Sequence, residues 1–184
     1  VVGGVPTWWR TLTGDSKTDP AWTGYYQQLD VISPWAVGRY SDNAGADTFR
    51  QDLVVPDLAA AASAGADYMP VVFPGFSWAN LLKDPGVLNQ IPRNGGEFYW
   101  RQVYNTASAG ATMLFTAMFD EVDEGTAMFK LAPDAGSRPV EGDFLTLDAD
   151  GRALPSDWYL SLAGVATEVF HGDRAPTSSI PIVP

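Results

Sequence analysis

Two stretches of this sequence are identical, and each joins the end of a helical pattern to the start of an apolar run. Residues 62–66 and residues 107–111 both read Ala-Ser-Ala-Gly-Ala. Glycine after a helix readily adopts the left-handed conformation that ends the helix, and small residues allow a helix to pack close to a sheet. Because each copy precedes a strand that is apolar on both faces, the pattern predicts an α/β fold with a parallel sheet.

Short apolar runs and longer helical patterns alternate along the rest of the chain. Five strands are predicted, at Val1–Trp8, Asp30–Val37, Ala66–Phe73, Ala111–Phe119 and Phe144–Leu147. Four helices are predicted, at Ala21–Leu29, at Asp47–Ala64 with a bend at Val55-Pro56, at Glu97–Ala109, and at Asp157–Phe170 with Ser156 as its cap. The folded part is expected to be 1–172, and 173–184, rich in Pro and Ser, is expected to be a linker or a frayed end.

Two parallel architectures fit five strand–helix units. An open doubly wound sheet should have a glycine-rich phosphate turn after an early strand, and Gly3-Gly4 lies within or before the first strand instead. A (β/α)8 TIM barrel needs about 250 residues, so this chain would supply its last five units, strands 4–8.

The start at Val1 lacks an initiator Met and a signal peptide, and we expect a piece of a longer chain that carries the first three strands. Both a secreted and a cytoplasmic location are compatible with the sequence.

The composition excludes several classes of function. The formal net charge is −11, and no basic run is present, which argues against nucleic acid and anionic membrane surfaces as partners. No apolar stretch approaches the length of a membrane span. There is no Cys, and the one His, His171, lies far from every predicted strand end, so a Ser-His-Asp triad or a metal site is not expected. We expect neither a metal nor a cofactor.

Aromatic and acidic residues follow the predicted strands, where parallel folds of this class place their reactive groups. Flat apolar rings suit sugar faces and carboxylates suit glycosidic oxygens, so a carbohydrate substrate is expected. The candidate substrate contacts are Trp8, Trp9, Arg10, Trp35, Phe76, Arg93, Asp120 and Asp123. The alternative is ordinary packing at the rim for the aromatic residues and a surface ion pair for Arg93.

The acidic segment after the fourth strand carries the candidate catalytic residues, Glu121 and Glu124. Glu121 continues an alternating apolar row of that strand, and Gly125 permits a sharp turn that would bring Glu124 beside it. Two neighbouring carboxylates can divide into an ionised base and a protonated acid, as glycoside hydrolysis requires. A merely solvated acidic run is the alternative. A calcium loop is not supported, because the acids do not alternate as in an EF-hand.

The same residues resemble a known family. Residues 119–126, Phe-Asp-Glu-Val-Asp-Glu-Gly-Thr, resemble the F-N-E-W-x-E-G-T signature of glycoside hydrolase family 99, the endo-α-mannosidases and endo-α-mannanases. Residues 70–76 resemble that family's P-x-x-x-P-G-Y strand end, and 89–93 lie where the family has N-T-R-N-R. Bacterial relatives loosely grouped as family 71/99-like hydrolases are also similar. The resemblance covers about the middle two thirds of the chain.

The resemblance implies a (β/α)8 barrel that cleaves α-linked mannose or a related sugar with retention and without a metal. Glu121 would be the base that deprotonates the 2-hydroxyl, which attacks the anomeric carbon to give an anhydro-sugar intermediate. Glu124 would protonate the leaving oxygen and later activate water. The chain departs from the signature at Asp120, where the family has Asn, and at Val122, where it has Trp. These two differences affect the identity of the expected substrate more than the expected acid–base chemistry.

Two other classes of function stay open at this point. One is a non-catalytic carbohydrate-binding protein on a degenerate barrel, which would need the aromatic residues but not two adjacent glutamates. The other is a structural half-barrel that pairs with another chain.

Overall fold

The computed structural model describes all 184 residues, from Val1 to Pro184. The strands are β1 (Val2–Val5), β2 (Val31–Pro34), β3 (Asp67–Tyr68), β4 (Val71–Val72) and β5 (Phe115–Thr116). The helices are α1 (Ala21–Tyr26), α2 (Asn43–Phe49), α3 (Val55–Ala64), α4 (Ala79–Leu82), α5 (Glu97–Ser108) and α6 (Trp158–His171), and a π-helical segment (Arg50–Val54) joins α2 to α3. Single 3₁₀ turns lie at Pro85–Val87, Asn94–Gly96, Ala135–Ser137 and Leu147–Asp150.

All strand pairs are parallel, which confirms the predicted sheet type. β1 pairs with β2 along its whole length, with Gly3 opposite Ile32. β2 pairs with β3, where Ile32 lies opposite Tyr68, and β4 pairs with β5, where Val72 lies opposite Thr116. The strands thus follow one another in space in the order in which they follow in sequence.

β3 and β4 are two halves of the predicted strand Ala66–Phe73, and Pro70 separates them. Proline has no amide hydrogen to donate to a neighbouring strand. The backbone nevertheless continues between its neighbours, because Met69 N donates to Ile32 O (2.9 Å) and Phe115 N donates to Pro70 O (3.0 Å). The strand predicted at Ala66–Phe73 therefore has the expected position and direction, but its hydrogen-bond ladder is interrupted at Pro70.

The prediction of a fifth strand at Phe144–Leu147 is wrong. Its carbonyl and amide groups bond to loop residues rather than to a strand, since Arg138 Nη1 donates to Phe144 O (2.9 Å) and Leu147 N donates to Ala132 O (3.0 Å). The apolar side chains here fill the core beneath a loop. The described chain thus contains four strand positions and not five.

The four predicted helices are present, but α1 ends three residues early at Tyr26, two of the helices differ at their starts, and the short helix α4 was not predicted. Helix α2 begins at Asn43, before the predicted start at Asp47, because the side chain of Asp42 accepts a hydrogen bond from Gly45 N (2.7 Å) and caps it. Helix α6 has Asp157 rather than Ser156 at its N-cap, and no side-chain hydrogen bond caps it.

The expected irregularity at Pro56 appears as the π-helical segment that precedes it. Proline cannot donate an amide hydrogen to the carbonyl four residues earlier, Asp52 O. Arg10 Nη2 approaches that carbonyl instead (3.4 Å). The loop after β1 and the helix α3 are therefore joined at this point.

The core consists of two main apolar clusters. The larger lies between α5, α6 and the loops after β5 and includes Trp100, Tyr159 and Leu162. The second lies beneath β1, β2 and α3 and includes Ile32 and Ala61. Both clusters lie at the ends of the strands, so the loops that follow the strands pack against buried apolar side chains.

A buried glutamine holds the chain after β4. Gln102 of α5 accepts a hydrogen bond from Phe73 N (3.0 Å) and donates one to Phe73 O (2.8 Å). The hydroxyl of Tyr40 donates to the same Gln102 oxygen (2.9 Å). Because Phe73 has no strand neighbour there, this side chain satisfies both of its backbone groups.

Residues 173–184, expected to be a linker or a frayed end, pack against the protein. Trp100 Nε1 donates to Thr177 O (2.9 Å), and Ile180 and Ile182 contact the larger core cluster. No helix of the chain has the length and apolar character needed to cross a membrane.

Candidate active site

The predicted catalytic glutamates lie on one tightly folded segment after β5, residues 119–127, which we call the acid loop. Gly125 N donates to Val122 O (3.2 Å) and closes a turn between the two glutamates. The amides of Thr126 and Ala127 donate to Glu121 O (3.2 and 3.1 Å). The backbone therefore folds back on itself and presents Glu121 and Glu124 on the same loop.

Three residues from other segments hold the backbone of the acid loop through four hydrogen bonds. Ser77 N, after β4, donates to Glu124 O (2.8 Å), and Asn80 Nδ2 donates to Asp123 O (2.8 Å). Arg93 Nη2 donates both to Gly125 O (2.7 Å) and to Ala127 O (2.9 Å). The position of Glu124 thus depends on the segment after β4 and on Arg93.

Arg93, a predicted substrate contact, lies inside the protein instead. Its side chain is buried, and its guanidinium carbon lies 4.6 Å from the ring centre of Tyr159. Burial lowers the pKa of Arg93, and its atom Nη1 and the Tyr159 hydroxyl are buried without hydrogen-bond partners. The planar guanidinium group has several hydrogen-bond donors and can bind two backbone carbonyls at once. Arg93 therefore stabilises the acid loop from its buried side.

The two glutamates have unlike surroundings. Burial raises the pKa of Glu124, and the negative charges of Glu121 and then of Asp123 raise it further. Glu121 accepts a hydrogen bond from the Thr126 hydroxyl at Oε2 (2.8 Å), which orients its carboxylate. The loop therefore combines a raised pKa at Glu124 with a hydrogen bond that orients the side chain of Glu121.

The charge effects on Glu124 lead to a titration experiment. We expect Glu121→Gln to lower the pKa of Glu124, and Asp123→Asn to lower it less, since each removes a negative charge and that of Glu121 has the larger effect. Carboxyl ¹³C NMR titrations of the variants measure this, and added salt should reduce the difference for exposed Asp123. Glu141→Gln, at an exposed acid elsewhere, is the control. Unchanged titration in both variants would contradict the proximity of the charges.

Gly125 is the residue of the acid loop that tolerates replacement least. Its φ is +68°, and a Cβ atom there would lie 2.7 Å from Leu145 Cδ1. Gly172 has a similar φ of +82° with nothing within 4 Å of such an atom, so it is a matched control. We expect Gly125→Ala and Gly172→Ala each to reduce the free energy of unfolding by about 1–2 kcal/mol, and only Gly125→Ala to reduce turnover. Urea unfolding and a turnover assay check this, and equal turnover in the two variants would show that the loop conformation does not control the site.

Three further predicted contacts are also engaged within the protein. Trp9 is buried, and its Nε1 donates to Asp57 Oδ2 (3.0 Å). Arg10 pairs with the same carboxylate, Nε to Oδ1 at 2.6 Å. Phe76 is buried against Trp78, with ring centres 3.7 Å apart. Aromatic rings at strand ends pack readily into the core beneath the rim, and Trp9 and Phe76 do so.

The remaining predicted contacts reach the surface. Trp35 is 41% exposed, and Asp120 and Asp123 are exposed on the acid loop. Trp8 is half-buried, and the guanidinium of Arg39 lies 5.3 Å from its ring centre. These four side chains are accessible to a ligand.

Sequence reasoning missed several residues that shape this region. Thr126 orients Glu121, Ser77 anchors Glu124, and Asp57 holds both Trp9 and Arg10. A signal was available for Asp57, because it lies on the apolar stripe of α3, three residues after buried Val54.

The surface around the glutamates is open. The structure has five cavities, and neither Glu121 nor Glu124 lines any of them. No group of three or more His, Cys, Asp or Glu side chains is arranged to hold a metal ion.

Comparison with known proteins shows the fold. No protein-family model and no curated protein matches the chain. The GH99 endo-α-mannosidase from Bacteroides thetaiotaomicron matches with a TM-score of 0.58 at 16% identity, over 78% of this chain and 39% of the enzyme. The structure of that organism's enzyme in complex with bis-tris-propane matches with a TM-score of 0.56 at 18% identity, over 78% of this chain and 41% of the enzyme. The chain thus spans about two fifths of the length of these structures, and it is an α/β protein with the fold of part of a GH99 endo-α-mannosidase.

Proposed function

We propose that this protein is a glycoside hydrolase that cleaves an α-linked, mannan-like or related glycan with retention. The observation that carries the proposal is the acid loop, on which Glu124 has a raised pKa beside Glu121. Unlike environments for two neighbouring carboxylates are the condition for dividing acid and base roles between them. The likeness in fold to endo-α-mannosidases supports the same reaction class.

In the proposed reaction, Glu121 removes the proton of the sugar 2-hydroxyl while O2 attacks the anomeric carbon. The bond from that carbon to the leaving oxygen breaks, and Glu124 gives its proton to that oxygen. Water then adds to the anomeric carbon, its proton returns to Glu124, the bond to O2 breaks, and O2 recovers its proton from Glu121. Two inversions at one carbon give net retention, and general acid–base help of this kind contributes about 10²–10⁴-fold for each group.

We further propose that the accessible members of the predicted contacts bind the substrate, namely Trp8, Trp35, Asp120 and Asp123. Trp9, Arg10, Phe76 and Arg93 would act indirectly, since their side chains are engaged within the protein. The four strands would be later strands of a (β/α)8 barrel whose other strands, provided elsewhere in the parent chain, form the facing wall of the site. The share of the endo-α-mannosidase that the chain covers supports this arrangement.

A substrate screen on the full-length protein tests the proposal. α-Mannosides, α-glucosides and α-xylosides are incubated with the protein, and the configuration of the first product is followed by ¹H NMR. We expect turnover of at least one series with the α-anomer formed first. A β-anomer formed first would overturn retention, and no turnover of any series would overturn the hydrolase.

A second candidate, a non-catalytic carbohydrate-binding protein, is favoured by one observation. The glutamates line no cavity, so the residues present do not enclose a sugar around them. This candidate predicts that calorimetry detects binding of an oligosaccharide that the protein does not hydrolyse, and that Glu121→Gln leaves the affinity unchanged.

A further inference from the structure

A small polar cavity of about 180 Å³ is lined by residues of α2, the π-helical segment and α5. Only one of its seven lining residues is hydrophobic, and two of them are arginines. All seven belong to helical elements or to the end of α5, and none lies on the acid loop or directly after a strand. The cavity is therefore separate from the candidate active site.

Arg50, the first residue of the π-helical segment, has hydrogen-bond donors to spare in this cavity. Its Nε donates to Asn105 O of α5 (3.1 Å), which fixes the plane of the guanidinium. Its two Nη groups make no hydrogen bond with the protein, and Arg50 takes part in none of the salt bridges. Because a guanidinium has five N–H donors, most of those of Arg50 remain available to a ligand.

The charges around the cavity do not balance. Arg101 binds Asp47 with both Nε and Nη2, each at 2.6 Å. The hydrogen bond from Arg101 lowers the pKa of Asp47 most, and the positive charges of Arg101 and Arg50 lower it further. Two guanidinium groups thus share one carboxylate, in a chain that has 22 Asp and Glu against 11 Lys and Arg. A second anion would complete the pairing of the two cations.

The size and lining of the cavity indicate which kind of anion fits. Its volume is below the range of about 300–1,000 Å³ that is usual for sites of drug-sized ligands, so a small ion fits better than an oligosaccharide. The hydroxyl-bearing residues Tyr104 and Ser108 also line it, and hydroxyl groups can donate to an anion. Several oxygen atoms on one ion match both a guanidinium fork and a hydroxyl donor.

We propose that this cavity binds a small oxyanion, phosphate or sulfate, through the free Nη groups of Arg50. The inference is independent of the proposed function. The bound ion would join the π-helical segment to α5, and it would stabilise the folded protein because the unfolded chain does not offer the same group of donors. A free phosphate ion and the phosphate group of an ester share this chemistry, and the experiment separates them.

Calorimetric titration with phosphate and sulfate at constant ionic strength tests the site. We expect saturable binding of both ions, and Arg50→Met should weaken it by about tenfold or more, since hydrogen bonds to a charged group are lost. Tyr104→Phe should weaken it by about two- to fivefold. Arg138→Met is the matched control, because Arg138 also bonds to a single backbone carbonyl, Phe144 O, and forms no salt bridge. Methyl phosphate that binds as tightly as phosphate would extend the ligand to phosphate esters, and weaker binding would restrict it to the free ion.

Replacement of Asp47 gives a prediction of opposite sign. Asp47 is the only acid among the lining residues, and Asp47→Asn removes the charge that repels an incoming anion. We therefore expect phosphate to bind about threefold more tightly or better in Asp47→Asn. Glu141→Gln changes the net charge by the same amount at an exposed residue outside the cavity, and it should leave the affinity unchanged.

The outcomes decide the inference without any assay of turnover. Thermal unfolding shows whether each variant folds. Arg50→Lys, which keeps the charge but lacks the fork, is the second variant if Arg50→Met does not fold, and it should still weaken binding severalfold. The inference is overturned if neither oxyanion binds saturably, if chloride binds as tightly as phosphate, or if the Arg50 variants weaken binding no more than Arg138→Met does. A failure here leaves the proposed hydrolase intact, and a protein without turnover could still bind the ion.

Discussion

Glu124→Gln is expected to lower the turnover of an unactivated glycoside by about 10²-fold or more while sugar binding persists. Glutamine has nearly the same size and can still form hydrogen bonds, but it has no proton of suitable acidity to give to the leaving oxygen. The raised pKa of Glu124 is the property that the substitution removes. Initial rates and calorimetric affinities on the same variant separate the two effects.

Glu121→Gln should cause a loss of the same order, but with a different dependence on the leaving group. A nitrophenolate leaves without being protonated, so a nitrophenyl glycoside should restore much of the first step in Glu124→Gln and little in Glu121→Gln. Glu141→Gln, at an exposed acid outside the acid loop, controls for the change in net charge. Unchanged turnover in both glutamate variants would refute the roles assigned to them.

The parallel architecture could be predicted because its signals are local. Gly65 lies two residues before β3 and Gly110 five residues before β5, so each helix end is followed by a strand after a short connection. Helix α5 differs from its predicted bounds by one residue. The strand predicted at Phe144–Leu147 failed for the opposite reason. A short apolar run is equally compatible with a strand and with a loop over a core, and only the distant partners of its backbone decide between them.

The candidate site shows the same contrast between local signals, which the sequence contains, and distant partners, which it does not. The turn between Glu121 and Glu124 depends on Gly125, which lies within four residues of both, and the sequence indicated it. The direction of the Arg93 guanidinium depends on two carbonyls more than thirty residues later in the chain. A sequence shows that a cation is present and not which groups it will meet, so Arg93 was expected at the substrate and is found beneath the loop.

Asp57 illustrates a signal that is present in the sequence but needs the structure for its meaning. It lies on the buried stripe of α3, four residues before the fully buried Ala61. An acid at such a position requires a partner, because burying an unpaired charge is costly. The partners, Trp9 and Arg10, follow β1 about fifty residues earlier in the chain.

Arg10→Met is expected to cause the largest loss of stability among these variants, about 3 kcal/mol at neutral pH. The Asp57 side chain is 1% exposed and that of Arg10 is 28% exposed. Removing one partner of a buried pair leaves the other charge uncompensated, which costs about 3–5 kcal/mol. The lower end applies here because water reaches Arg10 and Trp9 still donates to the carboxylate. Urea unfolding of the variant and the wild type at pH 7 measures the difference.

The pH dependence identifies the cause of that loss. Burial raises the pKa of Asp57, and the charge and hydrogen bond of Arg10 oppose the rise, so the pKa should rise further in Arg10→Met. A carboxyl group that binds its proton more tightly when folded gains relative stability as the pH falls through that raised value. The deficit of Arg10→Met should therefore be greatest at neutral pH and shrink toward pH 4. In the Asp57→Asn background, Arg10→Met should cost less and show no such trend, and a deficit that is constant with pH would mean that lost packing, not the unpaired carboxylate, destabilises the variant.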